Sequence, residues 1–152
     1  MKMKKVLSLA LTIAVICMLM VSCATFDKAL DMITGNTVDK SGLWENATYR
    51  RDMELGEGAK TIQVEVKALE NSVTFTIHTD ADTLGDALLE NDLIAGESGA
   101  YGLYVKTVNG ILADYDVDAS YWSFYKGGEM MMTGVDGEYI SGAEHYEIIY
   151  VG

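Results

Sequence analysis

The chain has no proline, two cysteines and two histidines, and it is short of basic residues: 11 Lys and Arg face 23 Asp and Glu, a formal charge of −12. Each shortage excludes something. An acidic chain without a basic face cannot neutralise phosphates and release their counterions, which excludes nucleic acid as a partner. Two Cys and two His make a four-ligand structural zinc site only if all four converge. Without proline, turns fall to the 15 glycines and to Asn, Asp and Ser. Apolar residues are plentiful, at 49% of 152 residues. That suffices for one domain with its own core and is too much for a disordered acidic tail.

The N-terminus reads as an address. Lys2, Lys4 and Lys5 precede an apolar run from Val6 to Val21, broken only by Ser8, Thr12 and Cys17. The run is shorter than the ~20 residues a spanning helix needs. Basic flank, short apolar core and small residues at the break predict a secretory signal peptide over residues 1–22. Val21-Ser22-Cys23-Ala24 resembles a bacterial lipoprotein signal, in which a small residue precedes a Cys that is lipidated and becomes the new N-terminus. Met20 stands where that family usually has Leu. The resemblance implies lipid on Cys23 and an extracytoplasmic protein anchored to the cell membrane by lipid, stably so once two or more acyl chains are attached. An ordinary signal peptide with an incidental Cys23 is the alternative. Cys17 would leave with the signal, so no disulfide could form within the mature chain. Three Lys and no acid would leave with it, making the body more acidic still. Anionic membrane surfaces repel such a body, so lipid alone would hold it.

Residues 23–60 read as the lipidated N-terminus and a spacer. Phe26, Ala29, Leu30, Met32 and Ile33 predict a short amphipathic helix before Gly35, and turn-forming residues follow. The folded domain is expected over residues 61–152. Ile62, Val64 and Val66 alternate with polar residues, as do Val73, Phe75 and Ile77, with a turn at Glu70-Asn71-Ser72: a hairpin. Thr83 is a helix cap with Asp86 three residues on, and Leu84, Ala87 and Leu88 share a helical face. Gly96 suits the end of that helix or the loop beyond. Tyr101 to Val108 and Ile111 to Asp116 are strands joined at Asn109-Gly110, a strong type I′ signal. Tyr121 to Tyr125 turns at Gly127-Gly128 into Met130, Met131 and Met132, and His145 to Val151 is a last strand. One helix must then cover one face of a mostly antiparallel sheet, because a lone sheet cannot bury its apolar face. The expected class is α+β, close to a β-grasp.

The segments TLGDALLENDLI (Thr83 to Ile94), YGLYVKTVNG (Tyr101 to Gly110), YWSFYKGGE (Tyr121 to Glu129), TGVD (Thr133 to Asp136) and SGAEHYEIIY (Ser141 to Tyr150) recur in that order in a known family. From Thr61 to Tyr150 the chain resembles the transcobalamin C-terminal-like domain of bacterial surface lipoproteins, whose function is largely unknown. At Lys126-Gly127-Gly128 relatives usually carry Asn-Gly after an apolar residue. The resemblance implies a β-grasp fold and kinship with the smaller domain of animal cobalamin carriers, which closes over one face of the corrinoid. Fold alone does not imply that function.

The aromatic strand is the first candidate site. Trp122 and Phe124 point one way, and Tyr121, Ser123 and Tyr125 the other. One set faces the helix. The other, with Tyr101 and Tyr104, would form a platform on which a flat ligand stacks while Tyr hydroxyls bond its polar edge. Packing alone is the competing reading for all five: Tyr101, Tyr104, Tyr121, Trp122 and Tyr125. The three consecutive Met cannot converge from one strand, which argues against a soft metal site. Asp114, Asp116 and Asp118 begin like a calcium loop, but Ala119 and Tyr125 stand where Gly and a bidentate Glu are needed. Gly96-Glu97-Ser98-Gly99-Ala100 lacks the second Gly of a nucleophile elbow. His78 and His145 lie on separate strands with no partner nucleophile in view, and no acid/base pair stands out. Neither enzymatic activity nor a cofactor or metal is expected. The function expected is extracytoplasmic binding of a small molecule, corrinoid-like by resemblance only. A surface-assembly module contacting a surface or transporter protein is the alternative, since Tyr and Met are enriched at interfaces.

Overall fold

A computed structural model describes residues 42–152. The expected signal peptide, Cys23 and the helix expected over residues 26–33 lie outside the described residues. Two nine-residue strands, β2 (Lys60–Ala68) and β3 (Asn71–Thr79), form the predicted hairpin. Its two-residue turn is Leu69-Glu70, with Leu69 in the left-handed region. Ile62, Val64, Val66, Val73, Phe75 and Ile77 all point to one buried face. The last strand, β9 (His145–Val151), adds to β2 in parallel, and β7 (Tyr121–Lys126) and β8 (Glu129–Met130) continue the sheet antiparallel beyond it. A further strand, β1 (Met53–Gly56), pairs parallel to β3, giving the order β1-β3-β2-β9-β7-β8. Tyr146, Ile148 and Tyr150 carry the buried face across β9.

One helix dominates. In α1 (Leu84–Glu90), Leu84, Ala87 and Leu88 are buried. Thr83 Oγ1 accepts from Asp86 N at 3.1 Å and donates to Asp86 Oδ2 at 2.8 Å, the cap expected of this pair. Seven residues rise only ~10 Å at 1.5 Å each, whereas six strands at ~4.8 Å span ~24 Å. A single helix therefore cannot cover the sheet, as the sequence alone suggested it would. A second sheet of β4 (Ile94–Gly99), β5 (Gly102–Val108) and β6 (Ile111–Leu112) completes the cover, and Ile94, Val105, Val108 and Ile111 join the same core. The fold is α+β, mostly antiparallel. Gly96 belongs to β4 and not to a helix end, and the strand expected over Ile111 to Asp116 stops at Leu112, giving way to the short helix α2 (Tyr115–Asp118). Register between β4 and β5 skips Lys106, a bulge that resets which β5 side chains face inward.

The folded unit also begins before Thr61. Residues 43–56 form a strap along the β3 edge and across to the small sheet. Trp44 Nε1 donates to Ala68 O at 2.7 Å, Ala47 is buried, Tyr49 meets Phe75 edge-on at 5.6 Å, and Asp52 Oδ1 accepts from Thr74 N at 2.8 Å. Asn109, fully buried in the β5–β6 turn, holds the strap: Oδ1 accepts from Tyr49 N at 2.9 Å and Nδ2 donates to Tyr49 O at 2.8 Å. The turn itself has φ of 50° at Asn109 and 79° at Gly110, as type I′ requires. A Cβ on Gly110 would meet Asn46 O at 2.5 Å, so only glycine lets the strap lie this close. Replacing Asn109 by Ala leaves the half-buried N–H and C=O of Tyr49 without their side-chain partner. The expected loss is about 3 kcal/mol in urea unfolding, and an unchanged midpoint would show the clasp to be dispensable.

Candidate functional site

Alternation along β7 sorts the aromatic residues. Trp122 is only 6% exposed, donates Nε1 to Lys106 O at 3.2 Å and meets the Tyr150 ring edge-on at 5.4 Å. It is a core residue, and its ring is not offered to a ligand. The carbonyl it uses belongs to the bulged Lys106, so the bulge locks the small sheet onto β7. Tyr121 and Tyr125 lie on the opposite face, the open face of the large sheet, beside Val151 and Glu147 of β9. Tyr125 is half-buried and sits across from Met130, while Tyr121 is 41% exposed.

Tyr121 has a neighbour that sequence reasoning overlooked. The Tyr115 ring lies 6.4 Å away at 58°, and Tyr115 is 60% exposed. Tyr115 was hidden inside the Asp114-Tyr115-Asp116-Val117-Asp118 run, which drew attention to its carboxylates. Those carboxylates have local work. Asp114 Oδ1 caps α2 by accepting from Asp116 N, and its Oδ2 faces Lys106 Nζ at 3.4 Å. Asp118 Oδ1 accepts from both the amide and the hydroxyl of Ser120. Among the described residues, no three His, Cys, Asp or Glu side chains are grouped so as to hold a metal ion. Tyr104 (47% exposed) and Leu112 face outward from the small sheet, and Tyr101 stands fully exposed at the β4–β5 turn. Of the five aromatics singled out in the sequence, two lie on the open face, two on the small sheet and one in the core.

The rest of the open face is polar and internally paired. Lys67 Nζ bonds Glu147 at 2.6 Å and Glu65 at 3.2 Å, and His145 Nε2 lies 3.9 Å from Glu65. The hydrogen bond to Glu147 raises the Lys67 pKa, and that to Lys67 lowers the Glu147 pKa. His78 is half-buried near the end of β3. It lies between Glu54 Oε1, 2.6 Å from Nε2, and Thr61 Oγ1, 3.0 Å from Nδ1. This links β1 to β3 and β2 on a solvent-facing surface. Lys126 bonds Glu138 Oε1 at 2.6 Å and stands 5.6 Å from the Tyr146 ring centroid, so this departure from the family pattern has its own packing role. Burial, followed by the charges of Glu138 and Glu144, pushes the Tyr146 phenol pKa well up.

The loop before β9 contains the most perturbed carboxylate. Burial raises the Glu144 pKa, but bonds from the Ser141 hydroxyl and from the amides of Ser141 and Gly142 outweigh it, lowering it from 4.5 to about 2. A carboxylate depressed on folding stabilises the native state fully above its unfolded pKa. That contribution fades as pH falls from about 4.5 towards about 2. Glu144→Gln should lower stability at pH 7 and flatten the acid limb of a stability-against-pH curve. An acid limb identical to that of the unsubstituted chain would remove Glu144 from the account. Trp122→Ala should cost about 3–5 kcal/mol of stability, as truncation of a core aromatic does.

Residues 81–144 match a domain of unknown function, DUF4430. No curated protein matches the chain by sequence. Among solved structures, a protein from Ruminococcus gnavus, provisionally described as metal binding, is 35% identical with a TM-score of 0.58, covering 61% of this chain and 97% of that one. Haptocorrin in complex with Cbi is 18% identical with a TM-score of 0.50 over 64% of this chain, which spans only 26% of haptocorrin; that likeness is one of fold. Spanning its Ruminococcus gnavus relative almost end to end, and matching through the helix, the small sheet and the aromatic strand, the chain belongs to the DUF4430 family.

Proposed function

We propose that this protein is a non-enzymatic binding module that takes a small, flat molecule on its tyrosine rim, outside the cytoplasm and tethered to a membrane by lipid on Cys23. The observation that carries the reading is the Tyr115–Tyr121 pair, two exposed rings 6.4 Å apart at the junction of α2 and β7, with Tyr125 further along the same strand. Exposed aromatics at one edge of a rigid sheet offer stacking area with phenol hydroxyls at the margin. The β-grasp reading of the fold is supported by β2 and β9, which lie parallel at the centre with an antiparallel neighbour on each side. The bound Cbi in haptocorrin supports a flat macrocycle as the first ligand to try. A metal ion fits less well, whatever the Ruminococcus gnavus relative holds, because the candidate carboxylates here are committed to a helix cap, Lys106 and Ser120. One surface covers only one side of a large ligand, so affinity is modest unless a second protein closes the other. The second reading, a protein partner alone, is favoured by β4, exposed from Ala95 to Gly99 along an edge of the small sheet.

The test is a thermal-shift titration of the full-length chain with cobinamide, cobalamin and a panel of planar metabolites. A ligand of the native state raises Tm with concentration by mass action. The expected result is a saturable rise that is lost in Tyr121→Ala and retained in Tyr139→Ala, an exposed tyrosine outside the rim. No rise into the millimolar range, or an equal rise in Tyr121→Ala, would overturn the small-molecule reading. Protection of the Ala95–Gly99 amides from exchange by another surface protein would then favour the second.

A further inference from the structure

Asn109-Gly110 is a chemically vulnerable pair as well as a turn. In such a pair the main-chain nitrogen of glycine, unhindered by any Cβ, attacks the asparagine side-chain carbonyl carbon. A C–N bond forms, the bond to the side-chain nitrogen breaks, and ammonia leaves with the proton given up by the attacking amide. Water then opens the cyclic imide at either carbonyl, yielding aspartate or its isomer with the main chain rerouted through the side chain.

In the folded protein every polar group of Asn109 is engaged. Its amide donates to Leu93 O at 2.7 Å and its carbonyl accepts from Thr48 N at 2.9 Å. Its carboxamide holds Tyr49 at both ends. Asn46 and Thr48 lie directly over Gly110. The side-chain carbon cannot swing towards Gly110 N while the strap is in place. We propose that Asn109 is a deamidation site gated by the strap of residues 43–56. Lifting the strap frees the carboxamide and admits water. The product cannot take the strap back: a carboxylate has no N–H for Tyr49 O, and burying it against that carbonyl is costly. The isomerised product adds an atom to the main chain and breaks the turn. A reversible local opening thus becomes permanent, at the end of the folded unit nearest in sequence to the proposed anchor. This inference is independent of the ligand reading.

The experiment follows Asn109 by peptide mass spectrometry in the full-length chain at mildly alkaline pH, beside an excised peptide spanning the turn. Asn46, Asn71 and Asn91, none followed by Gly, serve as internal references. Asn109 should stay intact in the folded chain while the excised peptide converts. In Trp44→Ala, which removes the strap's bond to Ala68, it should convert roughly tenfold faster than in the unsubstituted chain, the effect on opening of one lost half-buried hydrogen bond. Should that variant fail to fold, graded urea on the unsubstituted chain replaces it: loss of Asn109 should track hydrogen exchange at the Tyr49 amide. Conversion in the folded chain at the peptide's rate would overturn the proposal. So would persistence of Asn109 once exchange shows the Tyr49 amide opening.

Discussion

A six-stranded sheet about 24 Å wide cannot be covered by a helix of seven residues, and most of this structure follows from that mismatch. The uncovered part of the apolar face needs a second layer, which the three-stranded sheet supplies. With a third strand of only two residues, this sheet is little more than a hairpin, which is marginal alone and needs fastening. Among the side-chain bonds that reach across to it are those of two buried residues, Trp122 Nε1 to the bulged carbonyl of Lys106 and the Asn109 carboxamide to the strap. Both fasteners are polar atoms of otherwise buried residues, satisfied by main chain rather than by water. That makes them costly to lose and specific in what they join.

The same arrangement determines what remains exposed. Because Trp122 is drawn inward to its partner on β5, the alternate residues of β7 face outward, and α2 brings Tyr115 against Tyr121. The open sheet face divides chemically. Towards β2 and β3 it is a network of paired charges and hydroxyls that is already satisfied. Towards β7 it carries aromatic rings with no such internal partners in kind. An acidic body would discourage non-specific adhesion to anionic surfaces.

Much of the fold was legible because its signals are local. Alternation in the β2–β3 hairpin and in β9, the Thr83–Asp86 cap, and the paired positive-φ turns at Asn109-Gly110 and Gly127-Gly128 each rest on neighbours within a few residues. What was missed depends on distant partners. The strap has weak patterning, and its strand β1 exists only because β3, some twenty residues on, offers a free edge. The bulge at Lys106 leaves no periodic trace that single-sequence reading detects. Tyr115 was overlooked because it sits between aspartates whose role is to cap its own helix.

The sequence by itself determined the alternation of apolar residues, the positions of turns and caps, the acidity of the body and the N-terminal pattern that resembles a lipoprotein signal, since these are properties of residue type and spacing. Only the tertiary structure decided which aromatic rings are core and which are rim, that a second sheet shares the cover, and that a buried asparagine clasps the strap. Those outcomes turn on which strands become neighbours and how much apolar area a short helix leaves uncovered. Contacts of that kind pair residues as far apart as Tyr49 and Asn109, beyond the reach of any local signal.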